Sequence, residues 1–316
     1  MTLTAAAVDA AVLDHSGLLY HDQHEYLHFT TAFVRSALAT GDAVLVAVPG
    51  PNLALLRDAL ADVSAQVRFT DMAVAGRNPG RIIPGLLLSF STEHAARRIT
   101  VVSESVWPGR CPVEYPACAM HEALINPVFR MRNAAMLCPY DAANLDSGRL
   151  HDAWRTHPAV TERGDRRPSP RYGDPFLTAA AVNLPLPPVP STAAGLSYAG
   201  MSSLTRVRRF VTAHATAGGL GDVAIDDLVI AVNELVDNTI EHTDGGGRVS
   251  IWTEPGRLIC QVSDSGVLTD PLAGRIPPPG DAEGGRGLLL AHQLCDLVRI
   301  HTAAEGTSVR LHANLP

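Results

Sequence analysis

The chain contains no lysine: its 25 basic residues are all arginine, set against 32 acidic residues. That absence excludes chemistry that needs an amine, including a P-loop, the strand lysine of eukaryotic-type protein kinases and a Schiff-base enzyme. Arginine does not fill those roles, because its guanidinium is a delocalised fork that stays protonated. The net charge of −7 leaves no basic excess for a phosphate backbone, so direct nucleic-acid binding is not expected. Cysteine is scarce and odd in number. Cys111, Cys118, Cys138, Cys260 and Cys295 stand far apart, with no CxxC pair. This argues against a disulfide framework and for a reducing, cytoplasmic setting. The opening MTLTAAAVDAAVLDH carries Asp9 and Asp14 and no basic run, unlike a signal peptide. The uncharged stretch from Pro175 to Thr205 holds Pro185, Pro187, Pro188 and Pro190, spaced too closely for a membrane helix, and no membrane association is expected.

What is present is a globular composition. The 316 residues are 46% apolar with a mean hydropathy of +0.09, which suits two domains of roughly 150 residues each. Proline and glycine mark the boundary: TERGDRRPSPRYGDP and then LPLPPVPSTAAG read as a semi-rigid, largely unstructured connector over residues 161–195. The flanking domains are then 12–160 and 196–316. In the first, the runs AVLVAV (43–48), ITVVSE (99–104) and AAMLC (134–138) each precede a helical pattern. Short, wholly apolar strands separated by helices predict a parallel sheet covered on both faces, with ligands at the strands' carboxyl ends. In the second, two helices (203–217 and 225–242) precede strands at 248–252 and 258–262. A Gly/Pro-rich loop, a helix at 287–295 and strands at 297–302 and 307–312 follow. Helices grouped against neighbouring strands predict an α/β sandwich.

The candidate chemistry lies in the second domain. Glu234, Asn238 and His242 recur every fourth residue of the longer helix, so they share one face, and Ile225, Leu228, Val229, Val232, Leu235 and Val236 fill the opposite stripe. Val262-Ser263-Asp264-Ser265-Gly266 ends a strand in a carboxylate that can accept a hydrogen bond from an exocyclic amine, beside a glycine that lets a flat base approach the backbone. Gly284-Gly285-Arg286-Gly287 opens a helix whose free amides suit a phosphate chain, and Arg286 adds a fixed charge. Glu305-Gly306-Thr307 turns into the last strand. Each fragment alone is no more than a solvated helix face, a turn or a glycine cluster. Their order is what carries information.

In that order these boxes resemble the GHKL ATPase family, with its Bergerat-type sandwich, and among its members the bacterial anti-sigma-factor serine kinases. The resemblance covers about residues 197–316. It implies an ATP- and Mg²⁺-dependent protein serine/threonine kinase acting in transcription regulation, with a sigma factor or a STAS-type anti-anti-sigma protein as partner. It assigns the general base to Glu234 and the Mg²⁺ ligand to Asn238. The adenine site falls to Asp264 and Gly266, supported through water by Thr307, and the phosphate lid to Gly285 and Gly287. Relatives of this kind often act as dimers, so a homodimer is one implied state. Two departures stand out: the lid, residues 267–283, carries Pro271, Pro277, Pro278 and Pro279, and Glu283 stands where some such kinases have arginine. Two other readings use the same fold. One is a non-catalytic module in which ATP orders the lid for partner docking. The other is a sensor histidine kinase, for which His121-Glu122 is the only faint phosphoacceptor box. That box lies within the first domain, and Ser191–Thr205 holds no histidine.

The first domain carries a second resemblance. His15–Leu18, Tyr20-His21-Asp22, the VAVPGPNLALLRDAL run, Glu104–Trp107, His121–Asn126 and Leu137–Asp141 look like a MEDS sensory domain over about residues 12–160. That family is related to RecA-like ATPases and implies a small-molecule ligand. Val48-Pro49-Gly50-Pro51-Asn52 replaces a phosphate-binding loop, so a sensory role is expected here rather than nucleotide binding. Glu104, Trp107, Cys138, Tyr140 and Asp141 are the candidate pocket residues. Cys138 has two readings, a sensing thiol and a buried small apolar residue. His21, His24 and His28 share a helical face, yet no cysteine or carboxylate stands at a matching distance, so they read as solvated or hydrogen-bonded histidines.

Overall fold

The computed structural model describes residues 13–243, 246–278 and 285–316. In chain order the first part runs β1 (Asp14–Tyr20), α1 (Gln23–Ala39), β2 (Ala43–Val48), α2 (Gly50–Ala59), β3 (Val67–Asp71), α3 (Met72–Ala75) and α4 (Ser89–Glu93). It continues with β4 (Ile99–Ser103), α5 (Tyr115–Phe129), β5 (Ala134–Asp141), α6 (Ser147–Thr156), β6 (Ala159–Glu162), β7 (Asp165–Pro168) and α7 (Pro175–Ala181). The second part comprises β8 (Ala194–Ala199), α8 (Leu204–Ala217), α9 (Asp222–His242), β9 (Gly246–Glu254), β10 (Arg257–Asp264), α10 (Gly287–Leu294), β11 (Leu297–Ala303) and β12 (Gly306–Asn314).

Two compact units result. The first takes residues up to Ala73, with Phe90–Gly109 and Glu122–Pro175. Its sheet has the order β3-β2-β4-β5-β1-β6-β7, parallel throughout except for β7 at one edge. Every residue of β2 and of β4 is buried, as expected of strands covered on both faces. Asp22 caps α1 by accepting the Glu25 amide at 2.8 Å. The sequence expectation of a parallel α/β domain holds.

The second unit is built from Val74–Ser89, Arg110–His121 and Phe176–Pro316. An antiparallel sheet, β11-β12-β10-β9-β8, carries its helices on one face. Helix α9 buries Leu228, Val232, Leu235 and Val236 against Val249, Ile251, Cys260 and Leu311 of the sheet. The two early segments add specific contacts within this unit. Asn78 is fully buried, and its Nδ2 donates to the carbonyls of His292 (2.9 Å) and Cys295 (3.3 Å). These belong to the last turn of α10, whose carbonyls have no partner within the helix. Gly80 lies flush against the His292 ring, where a Cβ would collide. Arg299 donates to the carbonyl of Val113 at 2.6 Å, and Arg77 pairs with Asp296.

The connector, expected to be largely unstructured, is partly ordered. Its first residues form β6 and β7, which pair antiparallel and extend the first sheet, and 175–181 form α7. Charge and proline in DRRP disguise an edge strand whose four residues are all exposed. Between α7 and β8 the chain has neither helix nor strand. Among the described residues no helix is long and apolar enough to cross a membrane.

Burial on α9 sets a stability test. Leu228→Ala removes a side chain that is 1% exposed and is expected to cost about 2–5 kcal/mol. Val223→Ala, at a position 77% exposed, should change stability by less than about 0.5 kcal/mol. Urea unfolding of the two variants followed by circular dichroism checks the contrast.

Candidate functional site

The exposed end of α9, the end of β10, the start of α10 and the start of β12 surround a cavity of about 460 Å³ in the second unit. Asn238, Asp264, Gly266, Gly285, Gly287 and Thr307 all line it. Six of the sequence-predicted nucleotide residues therefore meet around one space. Its apolar wall comes from Leu235, Val262, Leu272, Ile276, Leu288 and Val309. A cleft of this kind, apolar with a few convergent polar groups, suits a flat heterocycle with a charged tail.

The polar end is built by a short chain of hydrogen bonds. Thr239 Oγ1 donates to Asp264 Oδ2 at 2.7 Å, and Tyr198 OH of β8 donates to Thr239 Oγ1 at 2.9 Å. Asp264 Oδ1 accepts the Gly266 amide at 2.8 Å, closing the turn. Each carboxyl oxygen thus takes one internal donor and keeps a lone pair for a ligand amine. Burial raises the Tyr198 hydroxyl to about 12, so it stays a donor at neutral pH. Thr307 Oγ1 donates to the carbonyl of Gly266 at 2.7 Å and shares the Leu268 amide with Thr302. A direct bond to the turn is what Thr307 makes here.

Two glycines lie in close approach to neighbouring side chains. A Cβ on Gly266 would stand 2.7 Å from Thr243 Cγ2. One on Gly287 would stand 2.6 Å from Asn238 Nδ2, so glycine lets the start of α10 lie against the Asn238 amide without displacing it. Gly285 has φ of +75°, and Arg286 holds the N-cap position of α10, exposed. Gly284 and Glu283 lie outside the described residues. Glu234 sits one turn before Asn238 and is half-buried, but does not line the cavity. Burial first, then Asp237 and Glu241, raise its carboxyl above the ordinary value.

Sequence reasoning missed Thr239 and Tyr198, which hold Asp264 in place. The signal available was a hydroxyl beside Asn238 on the buried side of a helix. It also passed over Thr243 and Leu268, whose contacts shape the turn.

In the first unit the candidate sensory residues divide into two groups. Glu104, fully buried just after β4, accepts Tyr26 OH at 3.3 Å and Asn52 Nδ2 at 2.9 Å. Burial pushes its carboxyl up to about 8. Asp141 ends β5 and caps the following turn through the amides of Ala143 and Asn144. Cys138 and Tyr140 share the opposite parity of β5 and lie elsewhere: Cys138 Sγ is 3.4 Å from His15 Nε2, and the Tyr140 ring meets His157 edge-on at 5.6 Å. Trp107 is half-buried in the segment after β4. One pocket shared by all five residues is not what the strand geometry provides.

Comparison with known proteins finds two family models along the chain. Residues 14–158 match the family model MEDS, the methanogen/methylotroph, DcmR sensory domain. Residues 199–313 match the histidine kinase-like ATPase domain. No curated protein matches the chain. A similar solved structure is that of the RsbU and RsbW domains of Rv1364c from Mycobacterium tuberculosis, at 23% identity and a TM-score of 0.30. The likeness covers 39% of this chain and 32% of that one, so this chain spans about a third of that structure's length. The protein joins a MEDS domain at its N-terminal side to a histidine kinase-like ATPase domain at its C-terminal side.

Proposed function

We propose that the second unit binds ATP with Mg²⁺ and transfers the terminal phosphoryl group to a serine or threonine hydroxyl of a regulatory partner. A small molecule bound by the MEDS domain would control this transfer. The observation that carries the reading is the convergence of Asn238, Asp264, Gly266, Gly285, Gly287 and Thr307 on one cavity, in a segment that matches an ATPase family. The anti-sigma setting, with a sigma factor or an anti-anti-sigma protein as partner, rests on the sequence resemblance.

The residues suit the parts of ATP. Asp264 accepts the adenine amine while Gly266 admits the ring. The amides at the start of α10 face the phosphates. The Asn238 amide oxygen suits Mg²⁺, a hard cation that takes one or two protein oxygens, and the bare Cα of Gly287 keeps the space beside it open. When bound, the ion supplies neutralisation of phosphate charge. In the transfer, the acceptor hydroxyl oxygen bonds to phosphorus as the bond to the ADP oxygen breaks. Glu234 takes the hydroxyl proton, and its raised pKa makes it a better base than a solvated glutamate.

One observation favours a second reading. Glu234 stands outside the cavity lining, as a non-catalytic module gated by ATP would allow.

Titration calorimetry with Mg-ATP is expected to show binding by the wild type and its loss in Asn238→Ala. Binding by both alike removes the metal role of Asn238. Glu234→Ala is expected to lower phosphotransfer about 10²–10⁴-fold while nucleotide affinity stays near the wild-type value. Transfer that survives this change ends the base assignment. The pH profile carries the sign: transfer needs the ionised carboxyl, so the rate falls as pH drops through the Glu234 pKa. The acid limb should lie above that of a solvated glutamate.

A further inference from the structure

We propose that His15, Glu122, Cys138 and His157 bind a divalent transition cation, zinc by preference, inside the first unit. Four elements deliver them: β1 brings His15, α5 Glu122, β5 Cys138, and His157 follows α6. All four are buried, and their ligating atoms lie within 4.8 Å of one another.

The hydrogen bonds fix which ring nitrogens face inward. His157 Nδ1 lies 2.8 Å from the carbonyl of Ala153, which only accepts, so Nδ1 carries the proton. In the neutral ring its Nε2 then presents a lone pair. That atom is buried without a hydrogen-bond partner and stands 3.4 Å from Glu122 Oε2. Asn126 Nδ2 donates to the carbonyl of Thr156 at 2.8 Å, which makes its Oδ1 the acceptor facing His15 Nδ1 at 3.0 Å. His15 Nδ1 is thereby protonated too. Its Nε2 lone pair is turned toward Cys138 Sγ at 3.4 Å and Glu122 Oε2 at 3.8 Å. The other carboxyl oxygen of Glu122 accepts the Ser105 hydroxyl.

Two imidazole lone pairs, a carboxyl oxygen and a sulfur thus converge where the side chains of both histidines are 0% and that of Glu122 is 2% exposed. Electron-rich atoms held together away from water call for a positive charge between them. The distances say what size it has. A tetrahedral zinc with bonds of about 2.0–2.3 Å sets its ligands about 3.3–3.8 Å apart; three separations here are 3.4, 3.4 and 3.8 Å, and all lie within 4.8 Å. Nitrogen, sulfur and oxygen donors in this mixture suit zinc. Asn126 and the Ala153 carbonyl orient the two rings as outer partners of metal-bound histidines do. Four protein ligands leave no open position, so the ion ties the strands and helices together and does no catalysis. The helical trio is different: His21 Nδ1 faces Glu25 Oε2 at 3.2 Å, while His24 and His28 stack on each other.

The test is made on the full chain, loaded with zinc and desalted, with metal counted by mass spectrometry. One ion per chain is expected in the wild type, with loss of that ion in Cys138→Ser and in His157→Ala. Asn126→Ala should weaken retention about 10–100-fold. X-ray absorption on the wild type stands independently of how the variants fold, and should show one sulfur and three nitrogen or oxygen neighbours. No retained metal overturns the proposal and leaves a proton-bridged histidine–glutamate cluster. Equal retention by folded Cys138→Ser and His157→Ala, or a shell with two or more sulfurs, overturns it as well.

Discussion

Asp264 is the point on which the second unit turns. Its carboxyl receives Thr239 from α9 and the Gly266 amide from its own loop, and Tyr198 from β8 stands behind Thr239. Hydrogen bonds to a carboxyl group of this kind are worth about 1.5–3 kcal/mol when charged. Their larger effect is geometric. They fix the rotation of α9 about its axis, so the turn that buries Val232, Leu235 and Val236 against the sheet also presents Asn238 to the cavity. Thr307 then ties β12 to the same loop through Gly266. Four elements far apart in sequence share one short polar chain above the apolar sandwich.

The first unit obeys a different constraint. A parallel sheet buried on both faces leaves its polar chemistry to strand ends and to rare polar residues inside. Glu104 is of the first kind, held neutral near pH 7 by burial with Tyr26 and Asn52 as its partners. His15 and Cys138 are of the second. They stand on neighbouring strands, where Gly17 lies opposite Cys138 in register and the His157 ring lies 3.5 Å from where a Cβ on it would stand.

Much of this was legible in the sequence. Wholly apolar runs such as AVLVAV specify buried strands, and the four-residue recurrence of Glu234, Asn238 and His242 specifies a helix face, because local periods are visible in one sequence. Three features were not. The strand Asp165–Pro168 carries charge and proline, and only its pairing with β6 makes it a strand. Thr239 looked like one more helix residue, since its role depends on a carboxyl 25 positions away. The histidine–cysteine cluster escaped for the same reason, with His15 and Cys138 standing 123 positions apart. The histidines that share a helical period drew attention, and the sheet brought together others.

The second unit draws on three stretches of chain, two of them from within the sequence span that matches the MEDS family. Asn78 covers the carbonyls at the end of α10, the helix whose other end frames the cavity. Borders drawn by family therefore differ from borders drawn by folding. An exchange of sensory modules between such proteins, made by a single crossover in the proline-rich connector, would carry away residues 74–89 and 110–121. It would leave the last carbonyls of α10 without their donor, so inheritance of the two halves as independent cassettes is physically disfavoured.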